Sequence, residues 1–232
     1  MITPFFLPAI LILQIIFIYL LSRQMIKEMF YFLRIFFTSD KLIYISVSLF
    51  FLPGTIIHEI GHFLAATILM LKVYDVRIFP QWEKHQIKLG SVLYEKKDMF
   101  RGIFVGVAPL FFSLFFFWFL ARFQLFPNES VWLNILLGYV VYAVSSTMFS
   151  SKQDLVDFAF IIPLIIIVIG IIYIFDIRLD MIFNNQILVA GITRFFQEIN
   201  FYLLFSLVIN LILIIVFKSF RSVIHLRESK KR

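Results

Sequence analysis

The chain has 232 residues, 62% of them hydrophobic and 15% charged, with 32 phenylalanines and a formal net charge of +7. Soluble domains are nearer half apolar and a quarter charged, so this composition excludes an ordinary soluble fold and reads as an integral, multi-pass membrane protein. Cysteine is absent, which rules out disulfides and thiolate metal sites, and the scattered basic residues suit a lipid surface rather than nucleic acid.

Residues 4–21, PFFLPAILILQIIFIYLL, carry no charge and are expected to form a first span. A cleaved signal peptide fits poorly, because no charged n-region precedes the run and no small-x-small site follows it. Residues 22–41 mix Arg23, Lys27, Glu28, Arg34, Asp40 and Lys41 with aromatics, the pattern of an amphipathic interfacial segment. The second apolar block, 42–71, is longer than the roughly 20 residues a crossing needs. It is expected to kink, break or tilt at Pro53-Gly54.

Residues 72–100 carry partial two-residue alternation and β-branched side chains around a polar QWEKH stretch, which predicts a β-hairpin or small sheet. Residues 102–121 form a third span, where Gly102 and Gly106 would permit close helix contact and Pro109 is expected to kink the helix. Residues 131–149, 158–175 and 200–217 complete about six spans, with a mixed loop at 176–199 and a basic tail after 217. The expected fold is a single all-α polytopic membrane domain, residues 1–232, with one β insertion. A count of Lys and Arg between those six spans favours both termini in the cytoplasm. The first span alone disagrees, having no basic residue before it and four after it.

Inside the second block lies HEIGH: His58, Glu59 and His62. Positions i and i+4 share one helix face, so two imidazoles there can bind one Zn²⁺, while Glu59 can serve as general base toward a water. Each ionisable group in a span costs about 2.5–3.5 kcal/mol even on a lenient scale, and three within five residues point to function rather than helix packing. A catalytic zinc takes three protein ligands and leaves a position open. Asp154 and Asp157, in SSKQDLVD after the fourth span, are the carboxylates in reach, with Asp154 favoured. His85 in a charged loop and His225 in the tail are weaker candidates. Asn134 is a candidate bond to substrate or to a neighbouring helix, and Lys152 a candidate charge stabiliser or a snorkelling surface residue.

HEIGH inside a span, a β-rich insertion, another span and then an Asp near the end of the next one resemble the site-2 protease family of intramembrane zinc metalloproteases. The resemblance covers residues 42–157. It implies a zinc-dependent membrane protease in which His58, His62 and Asp154 hold Zn²⁺ and Glu59 handles the proton. In that family the Asp stands in an LDG motif; here Leu155 follows it, as in a divergent branch. The implied substrate is a membrane protein or peptide within the lipid bilayer. Its unwound backbone would need partners, which a strand edge near Leu89 and Ser91 can supply; the insertion can equally be a packing element. Two alternatives compete: a CAAX-type zinc protease, whose downstream Glu motif is not found, and a non-catalytic relative that binds membrane helices, against which Glu59 argues.

Overall fold

The computed structural model describes residues 6–79, 81–83, 86–88, 90–95, 97–149 and 185–229, with isolated positions from 154 to 171. It is mostly helical. The described elements are α1 (Phe6–Leu33), α2 (Asp40–Phe50), α3 (Leu52–Ile68), β1 (Val73–Arg77), β2 (Gln81–Glu83), β3 (Gln86–Lys88), β4 (Ser91–Tyr94), α4 (Met99–Arg122), α5 (Val131–Thr147) and α6 (Gln186–Ser229). Helices α1, α4 and α6 are long and apolar enough to cross a membrane; α5 is apolar but has 17 residues. Most of the expected fifth span, 158–175, lies outside the described residues.

Two boundaries differ from the sequence reading. The segment 22–41 is not a separate interfacial helix: α1 runs on to Leu33, and its Glu28 is buried where Arg221 of α6 reaches it at 3.1 Å. The expected loop 176–199 becomes helix from Gln186 onward. In the first case a neighbouring helix supplies the polar partner; in the second, Arg194 and Glu198 pair within α6 itself at 2.7 Å.

The helix directions follow from side-chain contacts. α1 and α6 run parallel. Asn200 Nδ2 donates to the Leu7 carbonyl and Gln14 Nε2 donates to the Asn200 carbonyl, both at 3.2 Å. Farther along, Phe32 stacks on Phe217 with ring centroids 5.0 Å apart. α4 runs the opposite way, with Phe117 near its end stacked on Tyr202 of α6. α5 follows α6: Gly138 faces Phe205, and two turns later Asn210 Nδ2 donates to Ser146 Oγ.

The second apolar block is not one straight helix but a bent pair. α2 starts just past Leu33, lays Tyr44 on Phe30 and Val47 beside Met25, and descends to Phe51. There the chain bends by 71°. α3 runs along α5 and α4, with Gly54 against Ala143 and Thr147, Gly61 against Pro109, and the Leu69 carbonyl accepting from Arg101 Nη1 at 3.3 Å. The start of α2 thus lies near the end of α1, and the end of α3 near the start of α4. The break falls at Phe51, two residues before the expected Pro-Gly step. Pro53 sits in the first turn of α3, where a missing N–H costs nothing. Gly54 is the point of closest approach to α5, since a Cβ there would overlap the Ala143 carbonyl and the Thr147 hydroxyl.

With α1 parallel to α6, the start of α1 and the end of α6 lie at opposite ends of the bundle, where the six-span expectation had both termini on one side. Gly102 does not serve close packing, since a Cβ there would meet nothing within 4 Å; Gly106 is buried, and α3 also approaches α4 closely at Pro109.

The main core joins α1, α4, α5 and α6 through Leu11, Ile15, Ile18, Phe117, Val141 and Tyr202. Large apolar side chains such as Phe104, Phe111 and Phe115 on α4 stay exposed, as lipid-facing surface does. The insertion is one interrupted hairpin. β1 pairs antiparallel with β4 (Arg77 opposite Ser91), and β2 with β3 (Trp82 opposite Ile87). Its base packs Val73 and Tyr94 on Ala66, Leu71 and Val105, which fixes the hairpin over the junction of α3 and α4.

Candidate metal centre

α3 presents His58 and His62 one turn apart on the face toward α4 and α5, and the chain after α5 brings Asp154 to both. His58 Nε2 and His62 Nε2 are 3.1 Å apart. Asp154 Oδ2 lies 3.4 Å from His58 Nε2, and Oδ1 lies 3.6 Å from His62 Nε2. Zinc bonds of about 2.0–2.1 Å in a tetrahedron set ligand atoms about 3.3–3.4 Å apart. The three atoms thus form a triangle of the size one small cation needs, and His58, His62 and Asp154 can hold a metal ion.

The site is dry. His58 is 2% exposed, Glu59 4% and Asp154 5%. Such groups are retained in an apolar bundle only when paired or ligating. His62 has its other nitrogen fixed. Nδ1 is 2.8 Å from the Val105 carbonyl; a carbonyl can only accept, so Nδ1 carries a proton and Nε2 is the nitrogen left to face the triangle. Metal-binding histidines are oriented by this kind of outer hydrogen bond.

Glu59 lies beside the triangle and beneath the hairpin. A Cβ on Gly90 would stand 2.6 Å from both Glu59 Cγ and Oε1, so the glycine at the β3–β4 junction is what lets the hairpin close over the carboxylate. Glu59 Oε2 has no hydrogen-bond partner among the described residues. An acceptor held dry and uncommitted is suited to taking a proton.

Of the other candidates, Ser91 begins β4 next to Gly90. Asn134 is in the first turn of α5, roughly 20 Å along the helix from its Thr147 end. Its amide is closed into two 2.6 Å bonds with the Asn128 main chain. It therefore braces the loop before α5, away from the triangle and from any neighbouring helix. His85, Leu89, Lys152 and Asp157 lie outside the described residues. Sequence reasoning passed over Gly61, Gly90 and Pro109 as site residues. The available signal was the glycine between the two histidines, since a glycine inside a helix marks a close approach.

Comparison with family models, with curated proteins and with solved structures finds no match. Function is therefore argued from the chemistry of the site.

Proposed function

We propose that this protein is a membrane-embedded zinc endopeptidase of the site-2 protease kind, cutting membrane proteins or peptides. The observation that carries the reading is the buried His58–His62–Asp154 triangle, sized for zinc, beside a buried and uncommitted Glu59. Two imidazoles and one carboxylate leave a tetrahedral position open, as catalytic zinc requires. Bound zinc would supply Lewis acidity, lowering the pKa of a water and polarising a peptide carbonyl. The protein's own part is proton handling and exclusion. Glu59 takes the proton from the attacking water and returns it to the leaving amide nitrogen. His62 is held in one tautomer by Val105. The hairpin shields Glu59 from bulk water and offers the free edge of β4, from Ser91 onward, to an unwound substrate strand.

In this reading the bent pair α2–α3 is re-entrant and dips in and out, while α1, α4, α5 and α6, together with the span expected from the sequence at 158–175, cross the bilayer. Segments 22–41, 72–101 and 218–232 then share one face and hold 17 of the 21 Lys and Arg, while Arg122 and Arg194 are at the other. The positive-inside rule places that basic face, the hairpin and the tail in the cytoplasm, with the start of α1 outside. It also accounts for the first span, which has no basic residue before it and four after it.

The test is metal content and cleavage on purified protein in lipid. Wild type is expected to hold one zinc per chain and to cut reconstituted single-span helical substrates. His58→Ala and Asp154→Ala are expected to lose both. Absence of zinc from wild type, or its full retention in Asp154→Ala, would reject the assignment.

A further inference from the structure

We infer that Pro109 is a positioning residue for the metal centre: it leaves the Val105 carbonyl without a helical donor, and that carbonyl sets the tautomer of His62. In an α-helix the carbonyl of residue 105 accepts from the N–H of residue 109. α4 runs through both positions, but residue 109 is proline and has no N–H. An unpaired carbonyl in an apolar bundle is costly. Here the vacancy is filled by His62 Nδ1 from the facing helix, at 2.8 Å.

Three residues make this exchange possible, and each contributes something different. Gly61 brings α3 onto Pro109, where a Cβ would stand only 2.9 Å from the proline Cα. Pro109 withholds the N–H. His62, next to Gly61, donates in its place. The kink that a proline brings is secondary, and Ser113 Oγ satisfies the Pro109 carbonyl at 2.8 Å. The consequence for His62 is chemical: with a proton held on Nδ1, Nε2 is the nitrogen that faces His58 Nε2 and Asp154 Oδ1 and is free to become a ligand. The part played toward a metal rests on the proposed zinc site; the part played toward the imidazole does not.

The test isolates the one N–H. Pro109→Ala restores a donor at residue 109, which draws the Val105 carbonyl back into the α4 ladder. Incorporating lactic acid at the same position gives alanine's side chain on an ester, with no N–H. The first readout is ¹⁵N NMR of histidine-labelled, metal-free protein, which has four histidines to resolve. Wild type and the lactic acid variant are expected to show His62 protonated at Nδ1, and Pro109→Ala a mixture of tautomers. The second readout is zinc affinity by chelator competition. It is expected to fall about tenfold or more in Pro109→Ala, in the range found for lost outer partners, and to stay near wild type with lactic acid. Wild-type His62 protonated at Nε2, an unchanged tautomer in Pro109→Ala, or equal zinc losses in the two variants would each overturn the inference. If wild type binds no zinc but the tautomer pattern holds, the role of Pro109 stands and the zinc assignment falls. If zinc binds and the tautomer ignores residue 109, the reverse is true.

Discussion

Gly61→Ala is a one-carbon perturbation whose effect can be worked out from distances. The added Cβ would sit 2.9 Å from Pro109 Cα and 3.1 Å from its nitrogen. Carbon atoms rest at about 3.5–4.0 Å, and both contacts are backbone, so no rotamer change relieves them. α3 and α4 must part by about 0.6–1.0 Å. The His62 Nδ1 to Val105 bond spans that interface at 2.8 Å; the same displacement stretches it to roughly 3.4–3.8 Å, at or past the limit of a hydrogen bond. His62 then loses its fixed tautomer, and zinc affinity is expected to fall about 10–100-fold. Overpacking costs about 1–3 kcal/mol and the gain in helix propensity returns about 1 kcal/mol, so the fold survives. The assay is chelator competition in detergent or lipid, with Gly102→Ala as control because that position faces open space. Wild-type zinc affinity in Gly61→Ala would refute the reasoning, as would an equal loss in Gly102→Ala.

Three further outcomes are expected. Glu59→Gln should keep its zinc and lose cleavage of any membrane substrate that wild type cuts; normal turnover would remove Glu59 from proton transfer. Gly90→Ala should also keep its zinc, but a Cβ 2.6 Å from the Glu59 carboxylate forces that group aside by about 1 Å, which lowers turnover about 100-fold; an unchanged rate would mean that the hairpin does not position Glu59. Because the chain lacks cysteine, single cysteines at Thr3 and Ser229 report on orientation: an impermeant thiol reagent should label the first in intact cells and the second only after permeabilisation, and the opposite pattern would invert the topology.

The sequence by itself determined the membrane class, the helical content, the β insertion and two candidate metal-ligand types, imidazole and carboxylate. Long apolar runs leave few alternatives, and the i, i+4 spacing of His58 and His62 puts both imidazoles on one face wherever α3 lies. Asp154 was legible as a carboxylate after an apolar helix, but its approach to the histidines depends on how α5 packs along α3. Direction was decided by tertiary contacts. An apolar run of thirty residues reads the same whether it is one straight helix or a bent pair, and only the tertiary contacts place the 71° bend at Phe51, with Gly54 on α5 and Gly61 on α4. The glycines and Pro109 were legible only as helix breakers. Their roles depend on what lies across the interface: a Thr147 hydroxyl, a carboxylate under a hairpin, and a carbonyl that proline frees for a histidine on another helix.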